Sequence, residues 1–321
     1  MSPLQRGLAF YKGKTITFIS PGTPGATYDI WARLAAPYFA SILHATVNVV
    51  DIPAGATIAG QDAAEAAVPN GLTIGMMDPV TDATNSITHT PGTNFNAQYT
   101  RFIGAFGPAT EVWITKPGSI TSWAGAVNSP AKLTECVSVG YLAFLVVLAN
   151  YLFHIPSTVL NGYGSPTTVE SGYVRGDCDL VAQPLATVGP LIQAHQAVPL
   201  ATAAKFPAGI GYRATVAGTP SIAQLAREFP PKTRTEKKVL TALLSIISVA
   251  RYSVFVTSAT PSSRVDALQY AMKKVMSNLG LTKTALNAGL PPGYETGTQL
   301  KKAYVALTAL GAVIAPIVGN E

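Results

Sequence analysis

From residue 15 to residue 76 the chain alternates short apolar runs with amphipathic ones, and this rhythm limits the fold more than any other feature. Thr15–Ser20 reads as a strand. Thr27–Leu43 carries apolar groups at Ile30, Trp31, Leu34, Tyr38 and Ile42, the spacing of one helix face. Residues 46–50 read as a second strand and 58–68 as a second helix. Pro69-Asn70-Gly71 makes a turn, and 72–76 is a third strand. Strand–helix–strand units of this kind build a parallel sheet covered by helices.

A connection rich in Thr, Asn and Gly follows over 78–100, and 102–114 is extended and mostly apolar. The rhythm then restarts. Strands are predicted near Val137, Val159, Leu180 and Leu200, with helices at 142–153, 167–174 and 187–195. Residues 205–231 look irregular, 235–249 helical and 252–257 extended. Helices at 261–279, 282–288 and 296–318 close the chain. These last helices bring no new strand, so they are expected to pack back on the first sheet. The first domain is then discontinuous, 1–110 with 252–321, and the second spans 111–251. The crossings fall near Ile114 and Tyr252, and the cleft between two such lobes is a common place for a small ligand. A chain of 321 residues suffices for two domains. With 48% hydrophobic and 12% charged residues it is not a disordered chain.

The net charge of +6 comes from scattered Lys and Arg rather than a basic face, which argues against nucleic acid as a partner. Cys136 and Cys178 form no metal-ligand pair. Both sit beside apolar runs, which favours buried free thiols. A disulfide is the alternative in an extracytoplasmic protein. The first residues lack a positive region followed by an apolar run. Either the protein is cytoplasmic, or a leader has been removed and replaced by a starting Met. Residues 140–152 are too short and interrupted to span a bilayer. Residues 303–318 contain Pro316 and follow Lys301 and Lys302, which fits a packed helix.

The bend Pro21-Gly22-Thr23-Pro24-Gly25-Ala26 links the first strand to the first helix. It lacks both the dinucleotide glycine pattern and the P-loop pattern, so no nucleotide cofactor is expected. It still leads into a helix start, with unpaired N–H groups and a partial positive charge. Thr27 either caps that helix or turns its hydroxyl to a ligand. Residues 51–60, Asp-Ile-Pro-Ala-Gly-Ala-Thr-Ile-Ala-Gly, form a second such loop. Both loops fall at carboxyl ends of parallel strands, where ligands bind. Two helix starts aimed at one point can hold a carboxylate without Lys or Arg; Arg33 lies too deep in its helix to reach it. The four histidines, His44, His89, His154 and His195, form no close pair and read as solvated or capping residues. Ser138 and Ser165 lie in no nucleophile elbow. Asp177 and Asp179 fit either one face of a strand or a turn before it. No catalytic set, metal site or cofactor motif is assembled.

In order and spacing the chain resembles the extracytoplasmic solute receptors of tripartite tricarboxylate transporters, the Bug or TctC-like proteins. Residues 24–33, Pro-Gly-Ala-Thr-Tyr-Asp-Ile-Trp-Ala-Arg, match that family's opening Pro-Gly-Gly-x-x-Asp-x-x-Ala-Arg, with Ala26 for the second Gly. The second loop matches more loosely. Pro69-Asn70-Gly71-Leu72-Thr73, Gly176-Asp177-Cys178-Asp179, Thr260-Pro261 and the tail from Asn287 to Tyr294 resemble further family motifs.

The resemblance implies an α/β, two-lobed type II periplasmic-binding-protein fold, each lobe a Rossmann-like sheet with flanking helices. It implies a monomer in the periplasm or at the extracytoplasmic surface, its export signal removed, that passes a small organic carboxylate to a membrane permease. Thr23, Pro24, Gly25, Ala26, Thr27, Asp29, Gly55, Ala56 and Thr57 would hold the carboxylate. Where relatives carry a glycine- and serine-rich loop, this chain has Val139-Gly140-Tyr141-Leu142-Ala143-Phe144. Tyr141 and Phe144 either line the ligand's apolar or aromatic body or pack in the lobe's core. Gln183 either bonds a distal oxygen of the ligand or closes its own turn. The alternatives are an α/β enzyme acting on a small acid with Asp29 as base, a ligand sensor without a transport role, and a purely structural module.

Overall fold

The computed structural model describes every residue except 56, 89–96, 98, 99, 109, 119, 139, 207, 208 and 319–321. The chain divides into two compact units. The first holds 1–108, 249–285 and 292–306; the second holds 109–248, 286–291 and 307–321.

The first unit opens with a helix that the sequence reading missed, α1 (Pro3–Tyr11). Ser2 and Gln5 close its start as a reciprocal cap. Then come β1 (Thr15–Ser20), α2 (Thr27–Leu43), β2 (Thr46–Asp51), α3 (Ile58–Glu65) and β3 (Thr73–Met77). The connection expected at 78–100 begins instead as a helix, α4 (Pro79–Thr88), before β4 (Arg101–Ala105). Thr, Asn and Asp are weak helix formers, so propensity hid it. Asp78 starts it, accepting from the Val80 N–H at 3.0 Å and the Thr81 hydroxyl at 3.1 Å.

The second unit runs β5 (Glu111–Thr115), α5 (Trp123–Val127), β6 (Leu133–Ser138), α6 (Tyr141–Phe153), β7 (Ser157–Tyr163), α7 (Pro166–Arg175), β8 (Leu180–Pro184), α8 (Leu185–Gln193) and β9 (Val198–Thr202). The stretch read as irregular contains a short 3-10 turn and α9 (Ile222–Glu228); α10 (Arg234–Ser248) follows. The chain then returns with β10 (Ser253–Val256), α11 (Ser262–Met276), α12 (Leu279–Asn287), β11 (Glu295–Thr296), α13 (Gly297–Thr308) and α14 (Gly311–Val318).

Each unit is built on one mixed sheet with flanking helices. The first has order β11-β4-β10-β3-β1-β2, and the second β7-β6-β8-β5-β9. β1 pairs in parallel with both β2 and β3, while β10 runs antiparallel to β3 and β4. In the second sheet β6 is parallel to β7 and β8, and β5 is antiparallel to β8. α6 is buried on nearly every side, which explains why it is apolar throughout.

The end of the chain differs from expectation in two ways. The closing region does add a strand: β11 pairs antiparallel with β4. The run 296–318 is two helices bent by 59°, and α14 packs on α6 and α10 of the second unit rather than on the first sheet. Among the described residues no single helix is long and apolar enough to cross a membrane.

Cys136 and Cys178 are not free thiols. They are disulfide-bonded, with Cα atoms 5.6 Å apart. The parallel pairing of Cys136 with Val181 brings the turn before β8 alongside β6 and makes the bond reachable. His44 and His154 end α2 and α6 in the left-handed conformation, and His195 adopts the same conformation just past α8. His44 and His154 are C-caps, whereas Ala194 is the C-cap of α8; His89 lies outside the described residues. Asp177 and Asp179 belong to a turn. Asp177 pairs with Arg175 at 2.7 Å, and Asp179 accepts from the Thr134 N–H and hydroxyl.

A buried carboxyl ties α4 to the end of the first unit. Asp82 accepts from the Ala97 N–H at 3.1 Å and from the Tyr304 hydroxyl. Burial, and then the neighbouring carboxylates of Asp78 and Asp62, raise its pKa from 3.8 to about 6 despite those bonds. A raised carboxyl stabilises the fold below its ordinary pKa, and that contribution is lost as pH rises through about 6. An Asp82→Asn variant keeps an acceptor and escapes the loss. We expect it to be more stable than the parent above pH 7, by up to about 3 kcal/mol. The gain should fade between pH 6 and pH 4. Urea titrations across that range check this, and an equal gain at both ends would contradict it. Reducing the 42-residue disulfide loop should cost about 4 kcal/mol in the same assay. A midpoint unchanged by reductant would contradict that figure.

Candidate functional site

Because β1 runs parallel to β2 and β3, the carboxyl ends of all three lie on one edge of the first sheet. The loops at 21–26 and 52–57 leave from that edge. Their approach depends on Gly60, in the first turn of α3. A Cβ there would lie 2.8 Å from the Cα of Pro21 and 3.0 Å from the Ile52 carbonyl oxygen. Only glycine lets the two loops lie this close.

Both helices that follow begin without a side-chain cap. Ala26, not Thr27, is the N-cap of α2, and it offers no acceptor. Thr57 holds the N-cap of α3 and makes no capping bond either. Its hydroxyl instead accepts from the Gln61 amide at 2.7 Å. Thr57 sits at φ +83°, where a β-branched residue is strained, and Gly25 at φ +81° holds the first loop's turn. Strain kept at a helix start beside an uncapped neighbour is a mark of sites that bind. Ala56 lies outside the described residues.

Asp29 is turned into its own loop. It accepts from the Gly25 N–H at 2.8 Å and pairs with Arg33 at 2.5 Å. Arg33 also bonds Asp51, at the end of β2, at 2.6 Å. Its side chain is half exposed, and it ties the two loops' supports together. The edge also carries two charges that the sequence reading missed. β10 runs antiparallel to β3, so Arg251 arrives beside Asp78, and both its Nε and Nη2 donate to one carboxylate oxygen at 2.8 and 2.7 Å. The neighbouring Tyr252 ring meets Tyr28 edge to face at 5.1 Å.

In the second unit the register sets Glu111 opposite Pro184 and Val112 opposite Gln183. α6 starts on the same edge, where the parallel strand β6 ends. Gly140, at φ 88° and ψ −145°, makes the entry that only glycine adopts freely. Tyr141 is buried and donates to the Glu111 carboxylate at 3.2 Å. Phe144, one turn on, is also buried. Gln183 is fully buried, and neither atom of its amide has a hydrogen-bond partner. Val139 lies outside the described residues. The register puts Gln183 on the same sheet face as Val112, and Glu111 with its partner Tyr141 on the opposite face, so Tyr141 and Gln183 are not brought together. Glu111 was missed, although a lone charge inside the apolar run 102–114 was its signal. Among the described residues no cluster of His, Cys, Asp or Glu is arranged to hold a metal.

No family model matches the chain, and no curated protein matches it. Solved structures do. A protein described as a periplasmic transporter aligns over 94% of this chain and 96% of its own, at 19% identity and a TM-score of 0.76. The periplasmic binding protein BugD aligns over 97% and 99%, at 13% identity and a TM-score of 0.75. A Rhodopseudomonas palustris protein with adipate aligns over 95% and 97%, at 18% identity and 0.72. The two mixed sheets with their flanking helices therefore make up the bilobed periplasmic-binding-protein fold. At these identities the likeness is one of fold.

Gly60→Ala should push Pro21 away from α3. We expect a loss of roughly 1–3 kcal/mol in stability, the usual cost of overpacking. Chemical denaturation of the purified variant checks it; a variant as stable as the parent would show that the loops do not depend on this contact.

Proposed function

We propose that this protein is a non-catalytic solute receptor that captures a small organic carboxylate outside the cytoplasm and delivers it to a membrane permease of the tripartite tricarboxylate type. The observation that carries the reading is the pair of uncapped helix starts, α2 and α3, drawn together at Gly60 on one sheet edge. Amides at a helix start, with the helix dipole behind them, favour an anion without a basic side chain. Residues 23–27 and 55–57 would hold the carboxylate. Tyr141 and Phe144 would line an apolar or aromatic ligand body.

Three further points support it. Asp29, the one base the rival enzyme reading offered, is already engaged by Gly25 and Arg33, so we assign it to holding the loop. The Cys136–Cys178 bond suits an oxidising compartment. A structural neighbour of the same fold carries adipate, itself a carboxylate.

A panel of aromatic and aliphatic mono- and diacids, with citrate, screened by thermal shift and followed by calorimetry, tests the reading. We expect an apolar-bodied acid to raise the melting temperature and to bind more tightly than citrate, unaltered at the end of the incubation. Citrate binding far more tightly than all the others would overturn the ligand class. Conversion of a bound acid that vanished in Asp29→Asn would overturn the receptor reading.

A further inference from the structure

The apolar helix α6 carries one amide, Asn150, about two and a half turns beyond Tyr141 and toward the other end of the helix. Val147, Asn150 and Tyr151 are spaced three and four residues apart, so they share a face. That face, the first turns of α10 and one side of α14 line a cavity of about 630 Å³, formed wholly by residues of the second unit. Small-molecule sites run from roughly 300 to 1,000 Å³. Val147, Ile155, Val313 and Ile317 make its walls apolar, and Ser157 adds a hydroxyl. Asn150 is only 7% exposed. Its nitrogen donates both protons, to the Glu135 carboxylate at 2.8 Å and to the Ser157 hydroxyl oxygen at 2.7 Å. A carboxylate accepts, so this contact fixes which end of the amide is oxygen. That oxygen, Oδ1, is buried without a hydrogen-bond partner. A buried acceptor left so costs the fold its desolvation, unless something outside the chain completes it. Ser157 accepts from Asn150 and gives its own proton to no described residue. An acceptor and a donor thus stand on adjacent side chains in a cavity whose walls are otherwise largely apolar.

We propose that this cavity is a ligand site in its own right, independent of the carboxylate loops of the first unit, and that it takes an uncharged alcohol or phenol with an apolar body. A hydroxyl is donor and acceptor at once. Its proton goes to Asn150 Oδ1, and its oxygen takes the proton of Ser157. An ether of the same shape keeps the oxygen but leaves Oδ1 unpaired, and a buried polar group discriminates most strongly against the analogue that fails to pair it. A carboxylate of the same size would meet Lys238, which is exposed at the rim, but it brings Oδ1 no proton and must shed its water among apolar walls. The occupant touches α6, α10 and α14 together. Its binding therefore fastens α14 to the unit, and a ligand that binds only the folded chain stabilises it by mass action.

Calorimetry on the full chain with 2-phenylethanol, its methyl ether and phenylacetate tests this. The alcohol should bind saturably and at least roughly fivefold more tightly than the ether, the worth of one hydrogen bond. Hydrogen–deuterium exchange with the alcohol present should show added protection in peptides covering residues 147–157 and 311–318. Asn150→Leu should erase the preference for alcohol over ether. That variant also takes a donor from Glu135, so Val313→Trp, at a partly exposed position of α14, keeps the site testable should Asn150→Leu fail to fold. Filling the cavity from that side should weaken the alcohol by roughly tenfold or more. An ether that binds as tightly as the alcohol, or a preference that survives Asn150→Leu, overturns the assignment to Asn150. Alcohol binding unchanged by Val313→Trp, or protection confined to other segments, overturns the site. Phenylacetate that binds more tightly than the alcohol and is lost in Val313→Trp overturns the uncharged class in favour of an anion at Lys238. No saturable binding of the alcohol up to about 10 mM overturns the proposal outright.

Discussion

The parallel pairing of β1 with β2 on one side and β3 on the other is the constraint on which the candidate site depends. Parallel strands bring their carboxyl ends to the same edge, and every connection must leave from there. Two consequences follow without any special side chain. The loops after β1 and β2 become neighbours, and the helices they lead into begin side by side. What the sequence adds is the fine adjustment: a glycine at position 60 where Pro21 must come close, and cap positions at Ala26 and Thr57 with no capping bond.

Around that edge the charged residues act mainly on one another. Asp29, Arg33 and Asp51 link the start of α2 to the end of β2. Asp78 and Arg251 link the end of β3 to the segment entering β10. Each pair fixes a loop or a strand end that the backbone alone would leave adjustable, and a broken buried pair costs far more than an intact one contributes. A carboxylate would then meet amides rather than a salt bridge.

Much of this was legible in the sequence. Strand Thr15–Ser20 and helix Thr27–Leu43 carried clean periodicities, and they form over those same residues. The two loops were legible because Gly and Pro mark turns by their backbone preferences alone. Other parts had no local signal. α4 is made of weak helix formers and is stabilised by burial and by Asp78 at its start. Where α14 packs depends on partners in α6 and α10, more than sixty residues away along the chain, and periodicity carries no such address. The Cys136–Cys178 bond needed the β6–β8 pairing to be seen. Arg251 and Asp78 became a pair only once β10 was known to run antiparallel to β3. Tyr141 and Phe144 had two readings in the sequence, and burial alone fits both.

The central claim is that the two loop-and-helix starts of the first unit hold a ligand's carboxylate through their backbone amides. Hydrogen–deuterium exchange on the full chain, with and without a saturating acid from calorimetry, reads those amides directly. The account predicts that added protection concentrates in peptides covering residues 21–30 and 52–61. Protection confined to other segments, with both of these exchanging as fast as in the free protein, would contradict it.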